Sequence, residues 1–399
     1  MSDVSSTFSW ATVDAALAHG DASGAAATAL EGLRASPFDR REQFFSQLSL
    51  ALLPRARAPE TASCVAETCE ALWGMPEFRS NRSSASSVTG EALLLAVVLA
   101  TAYTTVDNLE KAIAFDAAVL QSSAFFTYEG LTPLERLACV ARVLKASRVT
   151  ADPRHADSAV QKGMSLYHGI ADRARYESGD DEVQRHRHAV VCAYLLELGL
   201  YRQERHDYLR AFQSFFALHE NREDAVVLQR SALCALCVRA SEAERQAALY
   251  SVTLRGKDAL LTPSLYNYVQ VAYNGQLFSA ADVEGVLATA GPYLPQSTLR
   301  SALREHNIII LAKTFECVHW RSLCVHMDDE GITEGELYDL LVSMVQAQRV
   351  SAAIYQDTGF IEFTNTAKAH AQITDTDAFN RISAAATAIG KARPELLLV

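Results

Sequence analysis

Three short runs in the sequence bring chemically capable side chains together. Cys234-Ala235-Leu236-Cys237 has the Cys-x-x-Cys spacing of zinc and thiol–disulfide sites. A structural zinc needs four ligands, and no second Cys or His pair lies at a ribbon-like distance. The segment reads as mid-helix, so the pair is expected on a buried helical face. His186-Arg187-His188 could supply half of a metal site. Zinc isopeptidases complete such a His-x-His with a Ser and an Asp at fixed spacing downstream, and the matching positions here hold Leu196 and Gly199. That ligand set fails, and these histidines are expected at a solvated helix start. Glu305-His306-Asn307 sets a carboxylate, an imidazole and an amide in succession, the groups of acid–base catalysis. The other histidines are scattered, and no Ser-His-Asp or Cys-His set follows from spacing. No glycine-rich phosphate loop of either common type is present. The sequence therefore assigns no catalytic residue, cofactor or metal, and the chain is expected not to be an enzyme.

The bulk properties agree. The chain has 399 residues, of which 49% are hydrophobic, enough for a sizeable core. With 36 basic and 47 acidic residues its net charge is −11, which argues against a general nucleic-acid binder. Proline (10) and glycine (18) are sparse, favouring helices over turn-rich strands. Most of the eight cysteines sit in apolar helical stretches, as reduced buried cysteines do. The start, Met1 to Ser6, lacks the basic and apolar regions of a secretory leader. The longest apolar run, Ala92 to Ala100, is far shorter than the roughly 20 residues of a membrane span. A cytoplasmic or nuclear location is expected.

The elements that would position these residues are helices. The patterning predicts helices at Trp10–Ala18, Ala25–Leu33, Glu91–Tyr103, Asn108–Leu120 and Pro133–Ser147. Thr132 is the expected N-cap of the last, with Pro133 first and Glu135 third. Phe78–Gly90 and Tyr176–Glu182 read as exposed loops. Val191, Tyr194, Leu195 and Leu198 form one apolar face, which Gly199 is expected to end. Tyr208, Phe212, Phe215 and Phe216 form the next. Further helices are expected at 224–238, around Leu265–Tyr273 and after Ser279. No convincing strand precedes residue 350, which predicts helical repeats stacked on one another, of TPR or HEAT-like type.

The last quarter differs. A short helix is expected at His319–His326, then an acidic turn at Asp328–Gly331. Thr333 and Glu336 have capping-box spacing ahead of an apolar face of Leu337, Leu340, Leu341, Met344 and Val345. Two strands are expected, Val350–Gln356 and Phe360–Thr364, joined by the three-residue turn Asp357-Thr358-Gly359 with a left-handed glycine. Helix, helix and hairpin at this size predict a winged helix. A final helix at 376–392 carries Phe379, Ile382, Ala386 and Ile389 in a heptad-like stripe that needs a partner surface.

Glu305-His306-Asn307 followed by Ile308-Ile309-Ile310, then Lys313, Phe315 and the helix to Leu323, resembles the approach to the winged helix of PCI-domain proteins. These occur in the proteasome lid, the COP nine signalosome and translation initiation factor three. The wing segment Gln356 to Phe363 and the single closing helix resemble the subunit-four branch of the signalosome; the related lid branch is the main competitor. The likeness covers about residues 300–393 and is only architectural before residue 150. The acidic turn, Cys317 and Trp320 depart from the family pattern.

The resemblance implies a helical-repeat arm at 1–185, a helical bundle at 186–300, a winged helix at 301–365 and a tail helix at 366–399. It makes Glu305-His306-Asn307 a structural junction between bundle and winged helix. It further implies a non-catalytic scaffold assembling with other PCI subunits and the isopeptidase subunits, in a complex that removes a ubiquitin-like modifier from cullin-RING ligases. The expected partner-binding residues are Ile354, Ile361 and Phe363 in the wing and Phe379, Ile382 and Ile389 in the tail. DNA binding is disfavoured, because the second winged-helix helix bears Glu334, Glu336 and Asp339 and no Lys or Arg between Thr333 and Gln348.

Overall fold

A computed structural model describes residues 10–36, 41–74, 91–150, 153–174, 181–239, 242–256, 261–291, 293–329 and 331–364. Two of the expected loops, apart from their margins, and the expected helix at 376–392 lie outside these residues. The described chain is mainly helical, with seventeen helices and one three-stranded sheet. It divides into two compact units, 1–223 and 224–399.

Among the described residues of the first unit ten helices follow in chain order: α1 (Trp10–Ala18), α2 (Ala22–Ala35), α3 (Arg41–Ala56), α4 (Pro59–Trp73), α5 (Glu91–Thr105), α6 (Leu109–Gln121), α7 (Pro133–Val149), α8 (Ala156–Ala174), α9 (Asp181–Glu204) and α10 (Tyr208–Arg222). Most pack on sequence neighbours: α5 on α6, α6 on α7, α7 on α8 and α9 on α10. The apolar run Ala92–Ala100 forms most of α5 and is buried on every side, between α3, α4 and α6. No helix among the described residues is long and apolar enough to cross a membrane. Thr132 caps α7 in a reciprocal capping box with Glu135, as its spacing predicts.

Two expectations change here. No helix was predicted at 156–174, yet α8 forms. Its buried stripe is Ala156, Ala159, Gly163, Leu166 and Ile170, spaced 3, 4, 3 and 4, so the helical period is present in the sequence. Gly199 does not end its face: α9 continues to Glu204. A Cβ there would lie 2.6 Å from Phe215 Cε1, so glycine serves to let the α10 ring press against the α9 backbone. Residues 185 and 186 lie together inside α9.

The second unit holds α11 (Ala225–Leu236), α12 (Glu242–Gly256), α13 (Pro263–Tyr273), α14 (Ala280–Ala290), α15 (Gln296–Ala312), β1 (Cys317–His319), α16 (Trp320–His326), α17 (Glu334–Gln346), β2 (Ala352–Tyr355) and β3 (Phe360–Phe363). α12 was not predicted either; its buried stripe contains Arg245 among Ala248, Leu249 and Val252. Ser279 caps α14 with Asp282, and Thr333 caps α17 with Glu336, both as capping boxes.

The sheet corrects the reading that no strand precedes residue 350. β1 is antiparallel to β3, which is also antiparallel to β2, giving the order β1-β3-β2. Three residues of β1 are too few for an alternating pattern to show. His319 ends β1 and caps α16, its Nδ1 accepting from Arg321 N–H at 3.2 Å. The hairpin turn has four residues, 356–359, because Tyr355 pairs with Phe360. Gly359 takes the left-handed conformation (φ 74°) that this closure needs. Val318, Ile361 and Phe363 face inward with Leu323, Leu337, Leu341 and Met344 to form this region's core.

Candidate functional site

The metal and thiol candidates are placed away from useful chemistry. Cys234 and Cys237 are fully buried at the end of α11. Burial pushes the Cys237 thiol up to about 12 and raises Cys234 further, so neither is a thiolate at neutral pH. His186 is half-buried and His188 exposed in the early turns of α9. Burial and then Arg57 lower the His186 pKa, and His188 Nε2 lies 3.5 Å from Cys192 Sγ. Among the described residues no group of three His, Cys, Asp or Glu side chains could hold a metal ion. All eight cysteines are free thiols, and Cys317 on β1 is exposed.

Glu305, His306 and Asn307 are each only 2% exposed, and α15 aims them at different neighbours. Glu305 is an ionic hub. Its Oε1 accepts from Arg239 Nη2 at 2.8 Å and from Ser301 Oγ at 3.3 Å, and its Oε2 accepts from Arg349 Nη1. This ties the segments after α11 and after α17 to α15. His306 Nε2 lies 2.8 Å from the Gln276 carbonyl, and its ring packs edge-on against Phe278. Burial, helped by Arg245, lowers its pKa to about 4, so the ring is neutral at physiological pH. The neutral tautomer that donates from Nε2 suits this contact.

Asn307 is a backbone clamp. Its Oδ1 accepts from Phe278 N–H at 2.9 Å, while its Nδ2 donates to the Phe278 carbonyl at 2.8 Å and the Met327 carbonyl at 3.4 Å. The acidic turn joins the same junction: Arg304 pairs with Asp329, and Asp328 Oδ2 accepts from Ala280 N–H at 2.7 Å. Glu305 fixes the segments after α11 and α17, and His306 and Asn307 fix the start of α14 and, through Asn307, the end of α16, against α15. They do not present a reacting face.

The sheet bears on the expected partner contacts. Ile361 and Phe363 are 0% and 4% exposed, taken up by the region's own core, and Ile354 is half-buried against it. What faces outward is the opposite parity, Tyr355 (47% exposed) and Phe360 (43%). His319 packs edge-on against Phe360, and Tyr355 OH donates to Glu362 at 3.0 Å. The period-2 alternation of Phe360-Ile361-Glu362-Phe363 separates these two sets; only the core says which set is inside. Edge strands β1 and β2 each pair on one side only among the described residues. Phe379, Ile382 and Ile389 lie outside the described residues.

Beside the base of the hairpin is a groove of about 460 Å³. Ile309 and Ala312 of α15, Val345 of α17, Val350 and Phe363 give it apolar walls, and Lys313 and Arg349 stand at it. No family model matches the chain, and no curated protein matches it.

Proposed function

We propose that the chain is a non-catalytic scaffold subunit of a PCI-type complex, with helical repeats leading into a winged helix. The observation that carries this reading is the junction at Glu305-His306-Asn307: three consecutive buried polar residues committed to joining elements. Beyond it the order strand, helix, helix, hairpin supports a winged-helix reading, and helices packed on their sequence neighbours support a repeat arm. The exposed carboxylates Glu336 and Asp339 on α17 disfavour a DNA-reading role.

Within that class the reading favours the subunit-four position of the COP nine signalosome, supporting removal of the ubiquitin-like modifier from cullin-RING ligases in cytoplasm and nucleus. Contact with neighbouring PCI subunits runs through the backbone of a free sheet edge and the outward aromatic residues, since the inward side chains are occupied by the core. The test is affinity purification of the full chain from its own cells. Recovery with several PCI subunits and cullins supports the reading; recovery with proteasome ATPases moves the chain to the lid, the second reading. Isolation as a lone monomer refutes both. Removing residues 370–399 is expected to weaken incorporation while leaving the fold intact.

A further inference from the structure

The groove at the hairpin base has a chemistry more specific than a general contact surface. Among the described residues its walls combine apolar side chains with Gln348, Ser351 and Thr364, its two charged lining residues are both cations, and no carboxylate lines it. Lys313 is 57% exposed and only distantly paired, with Glu242 at 3.8 Å. Arg349, 11% exposed, is held by Glu305. Behind them lies Arg245, 3% exposed, with its Nη2 lacking a hydrogen-bond partner. Arg245 interacts electrostatically with Arg349, Glu305 and Glu242. Arg239 and Arg349 share Glu305, and Lys313 and Arg245 reach Glu242. His306 adds no charge at neutral pH. In a chain of net charge −11, the charged side chains at this groove, among the described residues, are both cations.

We propose that this groove takes an extended segment of a partner chain in which apolar residues alternate with Asp or Glu. Such a segment places alternate side chains on the apolar walls and its carboxylates at Lys313. The proposal rests on the assembly reading and names the chemistry of one partner contact. Charge complementarity selects the acidic segment. The acidic exposed face of α17, at Glu336 and Asp339, opposes a nucleic-acid strand.

The experiment uses the full chain and a short fluorescein-labelled peptide alternating Glu with Val or Ile, read by fluorescence polarisation at low and at moderate salt. Binding is expected to weaken with salt and to fall about fivefold in Lys313→Glu. That position is exposed, so circular dichroism of the variant should be unchanged. Equal binding by Lys313→Glu, equal binding of a matched Lys/Val peptide, or no binding overturns the proposal. So does tighter binding of a single-stranded oligonucleotide. Binding that emerges only after residues 365–399 are removed makes that segment the occupant, and a dimer dispersed by the peptide makes a second copy the occupant; either result overturns a partner segment. Peptide failure with PCI subunits still recovered sinks this inference alone, whereas peptide binding by a chain that recovers no PCI subunit sinks the assembly reading.

Discussion

Replacing Asn307 by alanine removes the clamp that holds the segment before α14 and the end of α16 against α15. Phe278 is 1% exposed, and its N–H and carbonyl both use the Asn307 amide, at 2.9 and 2.8 Å. Alanine leaves both backbone groups buried without that partner. Each costs about 1–1.5 kcal/mol, so Asn307→Ala should destabilise the second unit by about 3 kcal/mol. With a urea m-value of about 2 kcal/mol/M, the midpoint falls by about 1.5 M. Trp320 is the sole tryptophan after Glu223, so a background with Trp10→Phe and Trp73→Phe makes fluorescence report on this unit. Asn307→Asp sharpens the test. One oxygen still accepts from Phe278 N–H, but the other confronts the Phe278 and Met327 carbonyls. At neutral pH this buried charge should cost more than alanine does. The same surroundings raise the carboxyl pKa in the fold, and the protonated form regains a donor. The deficit relative to the parent at the same pH should therefore shrink as pH falls towards about 3.9, the unfolded value. A midpoint shift under about 0.3 M for alanine, or an aspartate deficit that ignores pH, would refute the clamp.

Two further outcomes follow from the burial of titratable groups. His306 is a base whose folded pKa, about 4, lies below its ordinary 6.5, so its contribution is complete above 6.5 and is lost as pH falls towards 4. The second unit should lose about 2 kcal/mol on going from neutral pH to about 5, and His306→Gln should flatten that slope; a parent chain equally stable at both pH values contradicts the burial argument. Maleimide should label the native chain fast at Cys317 and slowly at half-buried Cys64, whose thiol burial pushes up, with all eight cysteines reacting only in denaturant. Rapid native labelling of Cys234 or Cys237, read by peptide mass spectrometry, would show that α11 does not bury them.

Capping and strong apolar faces were legible in the sequence, because each is a local pattern with a local cause. Thr132 with Glu135 and Thr333 with Glu336 form the reciprocal bonds that their spacing predicts. A helix whose inner face carries a buried charge was not legible. The α12 stripe buries Arg245, which interrupts its apolar face, whereas the α8 stripe, Ala156, Ala159, Gly163, Leu166 and Ile170, keeps helical spacing and was open to the same reading as the other helices. Strand β1 is defined by its partner β3, forty residues on, and nothing within Cys317–His319 announces it. The wing was legible as a pattern but not as a direction: Ile361 and Phe363 stand out by hydrophobicity, and hydrophobicity is what commits them to the core.

The most reactive-looking run shows why adjacency in sequence misleads on a helix. Successive side chains on α15 diverge by about 100°, so Glu305, His306 and Asn307 cannot converge on one small substrate from their own helix. Each instead meets a different neighbour: Glu305 the arginines at 239 and 349, His306 the Gln276 carbonyl, Asn307 the backbone at 278 and 327. A helix surrounded by other elements can use three consecutive polar residues only if each finds its own partner, because a buried polar group without one is costly. Three divergent contacts, each to a different element, therefore mark a junction, although His306 Nδ1 is left without a hydrogen-bond partner. Arg245, on α12, keeps one nitrogen unpartnered and interacts electrostatically with Glu305 and Arg349. Neutralising Glu305 would leave Arg349 facing Arg245 with less compensation, so the charge that holds this junction together also limits how positive the groove can be.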